Sequence, residues 1–451
     1  MTVNGVIGMK SSLTRRRFSQ AVTATALSYS RILGANGRLQ VGYIGVGNRG
    51  DQVHDAFLEH GDQQTVALCD LRDDYMEFAA KKSRATPARY KDYRKLLDDK
   101  NVEAVVIATP DHWHAIQFVD ACKAGKDVYV EKPLCLTVSE GRRMVEVAEQ
   151  TKRVTQVGIH RRSAKYLAEA AQLVRDGGIG QVTVVKGWHL VNEWPVGIGT
   201  APEGPPPSDE EWEAWLGPAP KVPYKKSRAY YTFRWFYNYS GGQLTNFGVH
   251  YVDMLRWCIG KDSPKAVTAL GGKFAIKDDR EIPDTLEVLW DYDGMLMVFS
   301  QYNANSAPGN IQNAEMEVRG TKGTLYIHSG RWEVVPERNA EVPVPARVPT
   351  ERGVERAWGQ SRKPAMEPRE GKGSNDTAFH ARNFLDCVKS RAKCNCDILT
   401  GHLSTSATQI ANIALRTKSY LEWDAKAEKF TNNAAANKYL QHQYRAPYKL
   451  G

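Results

Sequence analysis

Residues 41–50 read Val41-Gly-Tyr-Ile-Gly-Val-Gly-Asn-Arg-Gly50, a Gly-x-Gly-x-x-Gly run directly after an apolar stretch. Twenty residues past its last glycine, a second apolar run, Thr65-Val-Ala-Leu-Cys69, ends in Asp70. Strand, glycine loop, helix, second strand and acid at this spacing match what a dinucleotide requires. Gly45 permits the tight turn, Gly47 lets the backbone approach a pyrophosphate, and Gly50 lets the helix pack close to the strand. The helix N-terminus faces the anion, and Asp70 can accept hydrogen bonds from the adenosine ribose. An acid there repels a 2′-phosphate, which favours NAD over NADP, with Arg72 two residues on as the opposing charge.

Outward from this loop, strand and helix patterns alternate. Strand 39–44, helix 49–60, strand 65–69, helix 73–84 and a short helix 92–99 precede strand 103–109. Helix 114–124, strand 127–130, helix 138–151 and strand 154–158 close the series. This predicts βαβ units and a parallel sheet covered on both faces across residues 37–158. From residue 182, strand candidates at 182–190, 265–274, 284–291, 295–302, 314–319, 323–328 and 331–335 follow one another through short turns. Such succession predicts an open, mainly antiparallel sheet. Helices near 163–176 and 246–259 interrupt it, residues 195–223 and 336–375 read as long loops, and helices at 376–390 and 402–417 return to the first domain. The expected fold is α/β: a Rossmann domain at 37–158, a substrate-binding α+β domain at 159–424, and a C-terminal tail at 425–451.

A chain of 451 residues holds two substantial domains, and its 42% hydrophobic and 25% charged residues are those of a globular protein. No apolar run reaches the roughly 20 residues of a membrane span. Half of the formal charge of +10 sits in residues 1–36, where Lys10, Arg15, Arg16, Arg17 and Arg31 stand without an acid. The rest is spread thinly, without basic runs flanked by stacking aromatics, which argues against nucleic-acid binding and leaves room for acidic substrates. Thr14-Arg15-Arg16-Arg17-Phe18-Ser19-Gln20 resembles a twin-arginine export signal; the alternatives are a basic tail on a cytoplasmic protein and an uncleaved leader tethering it to the membrane. That route exports folded, cofactor-loaded proteins, so a periplasmic nicotinamide enzyme is expected to hold its cofactor tightly. The seven cysteines lack zinc-ligand spacing and are expected to be small buried hydrophobes, with no metal site.

Two constellations carry chemistry. Glu131-Lys132-Pro133 follows the strand at 127–130, so Lys132 should point into the crevice at the carboxyl ends of the strands, where partial burial lowers its pKa. A surface lysine is the bland alternative. Gly241-Gly242 leads to Asn246, His250 and Asp253; Asn246 and His250 fall on one face of a helix, with Asp253 as an available partner for the histidine.

Together the glycine loop, Asp70, Ala108-Thr-Pro-Asp-His-Trp-His114, Glu131-Lys-Pro133 and Gly241-Gly…His250-Tyr-Val-Asp253 resemble the Gfo/Idh/MocA oxidoreductases. Trp212-Glu-Ala-Trp-Leu-Gly-Pro-Ala-Pro220 and His380-Ala-Arg-Asn-Phe-Leu-Asp386 resemble its exported bacterial branch. The resemblance implies a nicotinamide cofactor between the two domains, against Gly45, Gly47, Asn48, Arg49, Gly50, Asp70, Thr109, Pro110, His112, His114, Glu131 and Lys132. It maps the catalytic lysine onto Lys132 and the histidine onto His250. Where many members carry an aspartate this chain has Asn246, which orients a hydroxyl but takes no proton; His250 or Lys132 then carries the proton. The substrate side is expected to include His160, Arg161, Tyr166, His189, Asn192, Asn246 and His250. Trp235 is the preferred stacking ring among the many aromatics between Trp188 and Trp257.

The expected activity is NAD-dependent oxidation of a secondary hydroxyl of a sugar, glycoside or polyol. The rival is a glycosidase-like enzyme in which transient oxidation drives elimination without net redox change. A non-catalytic NAD- or sugar-binding protein is a third reading. The family's open sheet implies a dimer or tetramer.

Overall fold

The computed structural model describes residues 37–340 and 362–451; the leader-like segment and the middle of the 336–375 loop lie outside them. In the first domain β1 (Leu39–Ile44), β2 (Gln63–Cys69), β3 (Ala88–Tyr90), β4 (Ala104–Ile107), β5 (Asp127–Val130) and β6 (Thr155–Val157) form an all-parallel sheet in the order β3-β2-β1-β4-β5-β6. Every residue of β4 and β5 is buried, as a sheet covered on both faces requires. Its helices are α1 (Arg49–Leu58), α2 (Asp73–Ser83), α3 (Tyr93–Asp98), α4 (Asp111–Lys123) and α5 (Val138–Thr151). Strand order reverses between β1 and β4, and a crevice opens at their carboxyl ends. The short β3, Ala-Arg-Tyr, has no apolar run to announce it and falls between the helices expected at 73–84 and 92–99.

The second domain contributes α6 (Lys165–Arg175), β7 (Val182–Leu190), α7 (Asp209–Leu216), α8 (Gly242–Asn246) and α9 (Gly248–Ile259). There follow β8 (Ala266–Gly272), β9 (Thr285–Asp291), β10 (Leu296–Tyr302), β11 (Met316–Gly320), β12 (Gly323–His328) and β13 (Arg331–Pro336). A small ladder of β14 (Arg338–Ala340) and β15 (Arg362–Pro364) precedes β16 (Arg369–Lys372), α10 (Thr377–Ser390), α11 (Ile398–Thr417), β17 (Leu421–Asp424) and β18 (Lys429–Phe430). Ten of these strands make one sheet, ordered β16-β13-β12-β11-β7-β10-β9-β8-β17-β18. Its pairings are antiparallel except β7 with β10. The inner face, with Val185, Phe299, Met316 and Leu325, packs on Leu167 of α6, Tyr251 and Leu255 of α9 and Ile410 of α11 in one core. Leu270, Leu289 and Leu296 are exposed on the other face.

Two segments read as irregular are ordered. The 195–223 loop carries α7, capped by the Ser208 hydroxyl and held by stacked Trp212 and Trp215. The tail beyond 424 pairs β18 with β17 and then crosses to the first domain. There the Tyr444 hydroxyl donates to Glu140 at 2.6 Å and the Tyr448 ring stands edge-on to Trp113 at 5.4 Å, while Arg445 between them reaches back to the second domain, donating to the Gly217 carbonyl at 2.8 Å and pairing with Glu213. Helix α10 lies against the first domain, with Phe384 edge-on to Phe57 and Tyr129.

Several histidines are buried neutral. Burial chiefly drives His54 and His380 to a pKa of about 4 and His112 to about 3. The unfolded chain, with ordinary histidines, binds more protons below pH 6.5, so stability is full above that pH and falls as the pH drops toward 4. Each such group costs about 1.4 kcal/mol per pH unit in that window. Thermal denaturation should show the midpoint falling steadily from pH 7 to pH 5, and His54→Gln should flatten the slope.

Candidate active site

The glycine loop is built for a close ligand. Gly45 adopts φ +83°, and a Cβ there would lie 2.9 Å from the Ala108 backbone. A Cβ at Gly47 would lie 2.6 Å from the Tyr75 ring, and one at Gly50 would fall on the Gly45 carbonyl oxygen. Helix α1 begins at Arg49, directing its free N–H groups into the crevice. Asp70 is fixed by two backbone donors, Val46 N–H at 2.9 Å and Arg72 N–H at 3.0 Å, while burial raises its pKa. A narrow glycine cradle, a helix N-terminus and an anchored carboxylate are what a dinucleotide demands, so the residues present fit that group.

From Asp70 to Lys132 runs a cleft of about 450 Å³. Of the residues expected to hold the cofactor, Gly45, Gly47, Asn48, Arg49, Asp70, Thr109, Pro110, Glu131 and Lys132 line it. Gly50 packs beneath the loop. His112 and His114 do not line it: His112 Nε2 lies 3.0 Å from the Trp215 carbonyl, and the nitrogens of His114 lie 2.8 and 2.7 Å from the carbonyls of Pro133 and Thr109. Helix rotation turns Asp111 and Gln117 to the cleft instead. Glu131 is engaged by Arg49 at 3.0 Å. The opposite wall is formed by Trp215, Tyr230 and Tyr231, three of the aromatics expected on the substrate side, together with Phe233 and Arg234 of the second domain and Tyr448 of the tail, to which no sequence pattern pointed. Trp113 Nε1 donates to the Trp215 carbonyl at 2.9 Å, joining this wall to α4.

At the far end Lys132 follows β5 through a cis Lys132–Pro133 bond. Its Nζ donates to the Asn246 carbonyl at 3.0 Å and to Asn246 Oδ1 at 2.6 Å. Phe247 lies beside it, 5.8 Å from Nζ to ring centroid, and His189 stacks on the same ring at 4.5 Å. His160 and His250 meet edge-to-face at 5.0 Å, and Arg161 pairs with Glu315 at 2.7 Å beneath Tyr251. Burial lowers the Lys132 pKa to about 8, that of His189 to about 4, and those of His160 and His250 well below the ordinary value. His160 Nδ1, His189 Nε2, His250 Nδ1 and Arg161 Nη1 are buried without a hydrogen-bond partner. Unmet buried polar atoms are costly, and these four gather in residues about Lys132 behind the cleft lining.

Several expectations are corrected here. The helix is interrupted at Phe247, so Asn246 ends α8 while His250 lies in α9 rather than both standing on one continuous helix. Asp253 serves Arg162 at 2.8 Å and the Ser404 hydroxyl at 2.6 Å rather than His250. Trp235 is buried under Arg280, 4.2 Å from its centroid, and offers no open ring. Tyr166 is sunk in the sheet core with its hydroxyl on Gly330 N–H. Asn192 accepts from Trp194 N–H in a turn. All seven cysteines are free and buried, and among the described residues no cluster of His, Cys, Asp and Glu could hold a metal. No described helix is long and apolar enough to cross a membrane.

Comparison with known proteins follows this geometry. Residues 39–159 match the profile of the Gfo/Idh/MocA oxidoreductase family's NAD-binding Rossmann fold, and residues 145–305 and 361–450 match that of its C-terminal α/β domain. Inositol 2-dehydrogenase of Salmonella typhimurium is 33% identical over 153 residues, 34% of this chain and 46% of that protein. The α-N-acetylgalactosaminidase of Shewanella oneidensis is 36% identical over 123 residues, 26% of this chain and 27% of that protein. The chain thus spans less than half the length of these curated relatives. Among solved structures, levoglucosan dehydrogenase in complex with NADH and levoglucosan aligns with TM-score 0.60 at 18% identity, over 85% of this chain and 99% of that one. The aldose-aldose oxidoreductase of Caulobacter crescentus aligns with TM-score 0.61 at 17% identity over the same shares, a likeness of fold.

Asn246→Asp should place a carboxylate against Lys132 Nζ and raise its pKa by about 1 to 3 units. Measuring the pH dependence of lysine modification at this residue checks the shift; an unmoved profile would show that Asn246 does not control the amine.

Proposed function

The chain belongs to the Gfo/Idh/MocA oxidoreductase family, and on that footing we propose that it oxidises a secondary hydroxyl of a sugar, glycoside or polyol with a captive NAD. The observation that carries this reading is Lys132 between the cleft and the group of unpartnered histidine and arginine nitrogens. When bound, the dinucleotide supplies the hydride acceptor. As a neutral amine, Lys132 has two N–H bonds, which match the two Asn246 oxygens and leave its lone pair free for the hydroxyl proton. With its pKa near 8, it both takes and returns that proton at working pH. His250, His160 and His189, neutral by burial, are suited to reading the remaining hydroxyls rather than moving charge. Arg161, tied to Glu315, adds a fixed donor.

NAD rather than NADP is favoured by the neutralised rim. Arg72 is bonded twice to Asp74, Lys91 pairs with Asp73, and Arg94 with Asp92, so each cation near Asp70 already has a carboxylate. Captivity is supported by the aromatic wall and by the tail that pins it. The twin-arginine-like motif at residues 14–20 fits export in the loaded, folded form, and Leu270, Leu289 and Leu296, exposed on the outer face of the ten-stranded sheet, fit a homo-oligomer.

A second reading is favoured by the 36% identity over 123 residues with the Shewanella α-N-acetylgalactosaminidase: oxidation is transient, an adjacent C–H is removed, the glycosidic bond is eliminated, water adds, and the ketone is reduced again by the same cofactor. Release of sugar without net change in nicotinamide absorbance selects this reading; net reduced cofactor selects the dehydrogenase.

Protein purified without added nucleotide and then denatured should release near-stoichiometric NAD(H), identified by mass spectrometry; an empty protein refutes captivity. Tyr448→Ala should hasten release several-fold, as loss of an aromatic contact of about 1 kcal/mol implies. In the oxidative direction kcat/KM should rise with pH to a plateau above about pH 8, because the base must be unprotonated. Lys132→Met should lower it by about 10²- to 10⁴-fold and abolish that rise.

A further inference from the structure

Six cationic side chains line the cleft: Arg49, Arg72, Lys91, Arg94, Lys132 and Arg234. Arg49 is paired with Glu131, Arg72 with Asp74, Lys91 with Asp73 and Arg94 with Asp92, while Lys132 rests on the oxygens of Asn246. Among the described residues, no ion pair or hydrogen bond is made by Arg234. Its guanidinium lies over the Tyr231 ring at 4.3 Å and near Phe233 at 5.8 Å, and its Nε is buried without a partner. The rings orient the guanidinium, and its terminal nitrogens, unlike Nε, are not among the buried atoms of this cleft-lining residue.

Arg234 lines the same cleft as Lys132, Asp111 and Asn246, and lies near enough for its charge to act on Lys132 and Asp111. The nearby acids are otherwise engaged: Asp111 accepts from the Ser240 hydroxyl at 2.5 Å, and Glu193 pairs with the buried Arg280 at 3.0 Å. A permanently charged, partly buried guanidinium without a protein anion is a receptor for a ligand anion, because burial makes an unmet donor expensive and a carboxylate satisfies two donors at once.

We propose that Arg234 reads a carboxylate on the substrate, so that the sugar oxidised here is an acid, a uronic or aldonic acid, bound with its carboxylate on Arg234 and its reacting hydroxyl toward Lys132. This rests on the oxidoreductase reading for the reaction but not for the binding. The other anion that could meet Arg234 is a phosphate of the cofactor, and the two sources are separable.

The test uses the protein as purified with its NAD, wild type against Arg234→Met and Arg234→Lys. Binding of matched pairs, glucuronate with glucose and galacturonate with galactose, is measured by titration calorimetry beside turnover and NAD content. Wild type should bind at least one acid roughly 10- to 100-fold more tightly than its neutral partner, the range for hydrogen bonds to a charged group. Arg234→Met should lose that preference while keeping its NAD and its affinity for the neutral sugar, and Arg234→Lys should restore part of it. Equal affinity for acids and neutral sugars in wild type overturns the proposal. So does loss of NAD from Arg234→Met with equal weakening of both sugars, which assigns Arg234 to the cofactor. Arg234-dependent binding of acids without turnover keeps the proposal and refutes the oxidoreductase reading instead.

Discussion

The site turns on one part-buried amine. Lys132 leaves the sheet at the carboxyl end of β5 and is partly withdrawn from water between Phe247 and the cleft, where a charged ammonium is disfavoured. The two oxygens of Asn246 hold it there without the fixed negative charge that an aspartate would bring. Both oxygens reach Nζ because α8 ends at Asn246 and the chain turns at Phe247 before α9 begins. A continuous helix would have turned the backbone carbonyl into its own ladder. The break therefore sets the geometry of the base, and its chemistry follows from burial rather than from a charged neighbour.

Around this amine the electrostatics are graded. At the Asp70 end the arginines and lysine are matched to carboxylates, giving a rim of low net charge. At the Lys132 end the histidines are neutral, Arg161 is tied to Glu315, and Arg234 is left unmatched. One cleft thus offers a neutral channel for a dinucleotide and a positive terminus for a small polar substrate. The division corresponds to the two domains that supply the walls.

Much of this was readable in the chain. Long apolar runs and glycine-marked turns placed β1, β5, β7, β12 and α5 at or near their observed bounds, because strong local periodicity and burial agree there. The glycine loop, Asp70 and Lys132 were legible because their chemistry depends on spacing along one segment. What escaped depends on long-range packing. His112 and His114 were assigned by motif, but rotation about α4 points them at backbone carbonyls. Trp235 and Tyr166 carry suitable rings, yet neighbours distant in sequence bury them. Arg234 sits one residue before Trp235 and was passed over, since nothing local shows that a cation will lack a partner. Tyr448 lies in a polar stretch with no period at all.

The tail that pins the aromatic wall lies C-terminal to everything it touches. Glu140, Glu213, Gly217 and Trp113 all precede residues 441–451 in the chain. One short segment thus ties together parts of the molecule that no local interaction joins: Tyr444 holds the first domain through Glu140, Arg445 holds α7 through Glu213 and Gly217, and Tyr448 lies on Trp113. The wall of the cleft owes its position to residues more than two hundred places away along the chain, so a cut in this segment would unfasten the wall and leave the glycine loop and Lys132 as they are.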